Sequence, residues 1–155
     1  MSKRTKRILS CAALLLWMLV IYWFSAQNGE QSGDMSEGLL SWILSWFSVS
    51  VHTEFGAFLH FVIRKLAHFS EYFILALLIA NVCVQWGQRG WKVLVIALAA
   101  SALYAVSDEW HQSFVGGRTP KLADVGIDSL GALCGALLYV GFDRIRKHKH
   151  EREDV

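Results

Sequence analysis

Four apolar runs, at 8–24, 66–85, 91–107 and 125–142, set the terms on which this chain can fold. A helix needs about 20 apolar residues, with a range of roughly 17 to 25, to cross a bilayer. The first run carries no ionisable side chain beyond Cys11 and Tyr22, the second has His68 and Glu71 near its start, and the fourth has Asp128 near its start. The third is short but sufficient. Lipid offers no hydrogen bonds, so spanning segments of this kind are helices. The expected fold is therefore an all-α integral membrane protein, a single domain over 1–155 with four transmembrane helices in an antiparallel bundle. A composition 54% hydrophobic with one proline points the same way, because a soluble domain of this size is seldom so apolar.

Between the first two spans, "SEGLLSWILSWFSVS" places Leu39, Leu40, Ile43, Leu44 and Phe47 at helical spacing with serines opposite. The segment, about 36–50, is too short to span, and an amphipathic helix at the outer interface fits it. "KRTKR" before the first run resembles the start of a signal peptide. The apolar stretch is longer than a usual signal core, however, and "FSAQNGE" is a poor cleavage site, so an uncleaved signal anchor is expected.

Charge sets the orientation. Lys3, Arg4, Lys6, Arg7, Arg89, Lys92, Arg144, Arg146, Lys147, Lys149 and Arg152, eleven of the fifteen basic residues, fall on the side of the termini. Arg64, Lys65, Arg118 and Lys121 fall on the other. The positive-inside rule then puts both termini in the cytoplasm, with the basic tail at 143–155 on the inner side. Nine of the thirteen acidic residues (Glu30, Asp34, Glu37, Glu54, Glu71, Asp108, Glu109, Asp124 and Asp128) gather on the outer side. The basic termini flank spans directly and read as anchors to anionic lipid, not as nucleic-acid arms. Cys11, Cys83 and Cys134 each lie inside a span and form no CxxC pair, so neither a disulfide framework nor a thiolate zinc site is expected.

At 100° per residue, "RKLAHFSEY" gathers Lys65, Tyr72, His68, Arg64 and Glu71 into a polar stripe about 120° wide, confined to the outer two turns of its helix. On the third span Asp108, Gln112, Ser101, Tyr104 and His111 share a face, with Glu109 at its margin. On the fourth, Asp124 and Asp128 continue into Gly131 and Gly135, a G-x-x-x-G seam that suits close helix packing. Ionisable groups facing a bundle interior are costly and point to function. The plain alternative is an ion-pair network that only fixes helix register.

"HFSE" and "DEWH" set His68 with Glu71 and Asp108 with His111 at i, i+3, a spacing used in carboxylate-bridged metal bundles. A divalent metal on those four is the less favoured reading, because bridging glutamates are missing and Lys65 and Arg118 would repel a cation; no cofactor is expected. "VGGRTPK" is either a plain loop or a turn presenting Arg118 to an anionic head group. No G-x-S-x-G, phosphate-binding loop or dinucleotide fingerprint occurs.

Taken in order, "WFSAQ", "RKLAHFSEYFILALL" and "SDEWHQSFVGGRTPKLADVGIDSLGALCGALL" resemble the VanZ-like family, small bacterial membrane proteins named for a component associated with teicoplanin resistance. The resemblance implies that the polar positions which matter are Ser25, Gln27, Lys65, His68, Glu71, Tyr72, Asp108, Glu109, His111, Gln112, Arg118, Asp124 and Asp128. "GGR" stands where many members would carry a proline before the glycine. The family implies a cell-envelope role and supplies no reaction.

Two classes of function follow. In the first, an outer polar cleft binds an anionic lipid or lipid-linked wall-precursor head group, with Lys65 and Arg118 meeting phosphate or carboxylate. In the second, a membrane-embedded enzyme modifies a lipid-linked substrate, with His68 or His111 as general base, Glu71 or Asp108 orienting it and Arg118 stabilising an oxyanion. A proton pathway ranks last, since the inner halves of the spans show little polarity beyond Asn81. The partners expected are membrane lipids and a lipid-linked wall precursor, with no nucleic acid.

Overall fold

A computed structural model of the chain describes residues 1–46 and 53–153, with side chains as far as 146. Among the described residues there are five helices and no strand: α1 (Lys3–Ser25), α2 (Gly29–Ser45), α3 (Glu54–Gln85), α4 (Trp91–Gln112) and α5 (Leu122–Glu153). Four segments, α1, α3, α4 and α5 as far as Arg146, are long and apolar enough to cross a membrane.

Local chemistry starts these helices where they start. Ser2 caps α1 by accepting from the Thr5 amide, and Thr53 caps α3 by accepting from Gly56 at 3.0 Å. Asn28 and Gln31 form a reciprocal capping box at the head of α2. The turn from α3 into α4 uses Gly87 (φ +91°) and Gly90 (φ +59°), left-handed conformations in which a Cβ would be strained.

Contacts between helices fix the directions. Ser10 meets Asn81 and Trp17 meets the Glu71 carbonyl, so α1 and α3 run antiparallel. Gly131 lies against Phe69 and Gly135 against Phe73, so α5 runs parallel to α3. One end of the bundle thus carries the chain termini and the α3–α4 turn. The other carries α2, the last turns of α1 and α4, and the first turns of α5.

The interior is built largely from small side chains: Ala76, Ala80, Ala97, Ala105, Ala132 and Ala136 surround Tyr72, Leu75 and Val93. Large apolar residues such as Leu15, Leu16, Leu19, Leu103 and Leu130 point outward. In water that distribution would be a liability; in lipid, where helices gain from close approach and not from hiding leucines, it is expected. Of the seven tryptophans, Trp23, Trp42, Trp46 and Trp110 are exposed at one end and Trp86 and Trp91 at the other. Aromatic rings are placed this way at the two membrane boundaries. The chain is a multi-pass membrane protein.

The helices are longer than the apolar runs. At about 1.5 Å per residue, the 32 residues of α3 extend about 48 Å against a hydrocarbon core of about 30 Å. The extra length lies before residue 66, where the chain stays helical because Thr53 caps it and His60 Nε2 lies 3.4 Å from the Gly33 carbonyl of α2. Hydropathy measures the part of a helix that sits in lipid, not where the helix stops. α5 likewise continues through the basic tail to Glu153. α2 begins at Gly29, earlier than 36, and buries Leu40 and Leu44. Residues 47–50 of the expected amphipathic segment, Phe47 included, lie outside the described residues.

At the terminal end, Asn81 donates to Ser10 and accepts from Tyr139, a clip joining α1, α3 and α5. Arg7 donates to the Gln85 carbonyl and lies over the Trp86 ring at 5.0 Å, holding α1 against the end of α3.

Candidate functional site

The polar groups gather at the opposite end, around a cavity of about 240 Å³ enclosed by α1, α2, α3, α4 and the loop after α4. Its polar lining is Ser25, Gln27, Arg64, His68, Glu71, Asp108, Gln112 and Arg118, with Ser32 and Ser36 from α2. Its apolar lining is Ile21, Phe24, Met35, Leu39, Ile63 and Ala67. A lining that combines charged, polar and apolar side chains suits an amphiphile.

The helical spacing of α3 divides its charges between two neighbours. Arg64 and Glu71, seven residues apart, face the cavity, whereas Lys65 turns to α5 and pairs with Asp124 beneath the Phe61 ring. His68 is 9% exposed and points between them, lining the cavity while its Nδ1 lies 3.4 Å from Asp128 Oδ1. Asp128 has no exposure, and neither of its carboxylate oxygens has a hydrogen-bond partner among the described residues. Tyr72 is equally buried, its ring beside Tyr104 and its hydroxyl likewise without a partner there.

From α4, Asp108 accepts from Gln112 Nε2 at 3.0 Å and reaches the cavity. Glu109 lies off that face: one of its oxygens accepts from the Lys121 amide at 2.6 Å and so holds the loop, while the other has no partner among the described residues. His111 also lies outside the cavity lining. Its ring stands 4.8 Å from that of Tyr22, and its Nδ1 lies 3.5 Å from Ser25 Oγ. Of the two pairs, His68, Glu71 and Asp108 line the cavity and His111 does not, and among the described residues no three of His, Cys, Asp and Glu are grouped to hold a metal ion.

Arg118 differs most from a simple anion trap. Its Nε and Nη2 donate to the carbonyls of Gln27 and Phe24, each at 3.0 Å, just past and at the end of α1; the Phe24 carbonyl also accepts from the Gln27 amide at 3.4 Å. Burial, and then the charge of nearby Arg64, hold its pKa below the usual arginine value, and the guanidinium still lines the cavity. Lys65 is committed to Asp124 and does not line the cavity. Among the described residues, the cation with no partner at the cavity is Arg64. The sequence carries a signal for it, since Arg64 and Glu71 fall 20° apart on the helical wheel.

Close backbone approaches fix the frame. A methyl group on Gly131 would lie 2.3 Å from the Phe69 carbonyl oxygen, and one on Gly135 2.3 Å from that of Phe73. The amide of Gly29 donates to the Gly116 carbonyl, and a methyl there would meet the Gly117 oxygen at 2.1 Å. The head of α2 is thereby docked on the loop that carries Arg118. Sequence reasoning misses the α2 wall of the cavity, because nothing in "EQSGDMSEGL" marks which of its residues face α3.

A family model described as VanZ/LLP1 matches residues 10–143, which takes in most of the first and last apolar helices, the whole of the other two and every residue of the cavity. No curated protein and no solved structure matches the chain.

Proposed function

The chain belongs to the VanZ/LLP1 family, and on that premise we propose that it is a cell-envelope protein whose cavity binds an anionic lipid or lipid-linked wall-precursor head group. In this reading it spans the bacterial plasma membrane with both termini in the cytoplasm, so the cavity opens at the outer face and α2 lies along that interface. The excess of Lys and Arg on the terminal end supports the orientation. Membership links the chain, at the level of the family, to glycopeptide resistance, and those antibiotics act on lipid-linked wall precursors at that face.

The observation that carries the proposal is the mixed lining, charged and apolar side chains around one cavity. Arg64, without a hydrogen-bond or ion-pair partner among the described residues, offers a guanidinium to a cavity that Phe24, Met35, Leu39 and Ile63 also line. A phosphate-bearing head group meets the first and its proximal chain the second. Arg118 contributes field and shape, since two of its donors are already used.

Native mass spectrometry of the purified protein tests this. Wild type is expected to carry a phosphorus-containing lipid through purification, and Arg64→Ala to lose about nine-tenths of that occupancy, as befits one charge-assisted contact. A wild-type protein that comes through free of lipid, or equal occupancy in the variant, counts against the proposal.

A second reading, a membrane-embedded enzyme working on the same class of lipid, is favoured by one contact, the His68–Asp128 approach. Turnover of a precursor lipid by wild type, lost in His68→Leu with binding intact, would establish it.

A further inference from the structure

The floor of the cavity holds a pair that the head-group proposal does not use. His68 reaches the cavity from α3, and Asp128 stands behind it on α5, completely buried, its carboxylate oxygens without a hydrogen bond from any other described residue. His68 Nδ1 is itself buried and lies 3.4 Å from Asp128 Oδ1. The two ring nitrogens of histidine point in different directions, and the partner of one decides which carries the proton. Neither Nδ1 nor Asp128 Oδ1 has a hydrogen-bond partner among the described residues; in a neutral ring, a carboxylate this close to Nδ1 draws the proton to it and leaves Nε2 as an acceptor. Glu71, one turn along the same face, adds a carboxylate, and Asp108 adds another from α4. The floor of the cavity accepts hydrogen bonds, whereas Arg64 at its side donates them.

We infer that the cavity selects head groups in which a phosphate is followed, a few bonds on, by an O–H or N–H donor, with the phosphate at Arg64 and the donor at His68 Nε2. Asp128 is the positioning residue that fixes the acceptor tautomer. The inference rests on the head-group reading above. Hydroxylated and amino-bearing phospholipids and lipid-linked sugar phosphates share this chemistry; quaternary-ammonium and simple alkyl phosphodiesters lack the donor.

Two matched pairs of lipids test it, each with the same acyl chains, titrated into the full-length protein in detergent and followed by native mass spectrometry. Phosphatidylglycerol is set against phosphatidylmethanol, and phosphatidylethanolamine against phosphatidylcholine. The donor-bearing member of each pair is expected to bind about tenfold more tightly, the worth of one hydrogen bond that only it can make. In His68→Leu the ratio should fall to about one. In Asp128→Asn the amide can donate to Nδ1 and move the ring proton to Nε2, so the preference should disappear while phosphate binding remains. Nitrogen-15 spectra of His68 read the same change directly: a protonated Nδ1 in wild type and a protonated Nε2 in Asp128→Asn. Equal binding within both pairs, or a wild-type His68 protonated at Nε2, overturns the selectivity and leaves the cavity as a phosphate site. If none of the four lipids binds, the membrane-lipid form of the head-group reading fails and this inference with it.

Discussion

Gly131→Ala is expected to cost the bundle about 3 kcal/mol, and Gly131→Val to leave little folded protein in the membrane. The added methyl would lie 2.3 Å from the Phe69 carbonyl oxygen and 3.0 Å from its carbon. Those are backbone atoms of a neighbouring helix, so no side-chain rotation relieves the clash, and α3 and α5 must separate. Overpacking typically costs about 1–3 kcal/mol where side chains can adjust, so a clash with backbone belongs at or above the top of that range. Separation would also remove the contacts that bring Lys65 to Asp124 and His68 to Asp128. Gly141, on the same helix, has nothing within 4 Å of an added methyl, and Gly141→Ala should be neutral or slightly stabilising from helix propensity alone. Thermal unfolding in detergent, followed by size-exclusion chromatography, separates the two. Equal melting temperatures for Gly131→Ala and Gly141→Ala would contradict the close packing.

Lys65→Ala should be at least as damaging as Gly131→Ala, with a loss of about 3–5 kcal/mol, the usual effect of removing one partner of a buried ion pair. The side chain of Asp124 is 9% exposed and that of Lys65 18%, so little water could take the ammonium's place. Removing both charges tests whether the pair stabilises the fold or only tolerates its own burial. The double change Lys65→Met with Asp124→Leu should recover most of the loss, because a buried pair can often be exchanged for well-packed apolar residues at little cost. The same melts provide the measurement. A Lys65→Ala protein as stable as wild type would show that Asp124 finds another partner or is hydrated.

The architecture is unevenly legible in the amino-acid sequence, and the reasons are physical. Bilayer thickness gives spanning helices a length that apolar runs display directly, so the four spans can be counted from the residues alone. Where those helices end in water is decided by caps and neighbours, such as Thr53 and the α2 contact of His60, and hydropathy is blind to both. Helical periodicity places Lys65, His68 and Glu71 together at one end of α3. It does not say which neighbour each one meets, so it groups Lys65 with Arg118 as head-group cations, whereas Lys65 pairs with Asp124 and Arg118 closes the end of α1. Asp128 reads as one more acidic residue on a polar face; its approach to His68 depends on how deeply α5 packs on α3, and Gly131 and Gly135 set that depth. The α2 wall is illegible for a similar reason, since a short helix with serines on several sides has no single face marked for burial.

The central claim is that a phosphate-bearing lipid occupies the cavity between α1, α2, α3 and α4 in the living membrane. The most direct test places a photoreactive amino acid at Met35, an apolar residue lining the cavity, and for comparison at Phe114, an exposed position outside it. Cells labelled with phosphorus-32 are then illuminated, and the purified protein is assayed for radioactive adducts. The expected result is a lipid adduct at position 35 that weakens sharply when Arg64→Ala is added, with the signal at position 114 indifferent to that change. Labelling at position 35 that is absent, or unaffected by Arg64→Ala, would contradict the account.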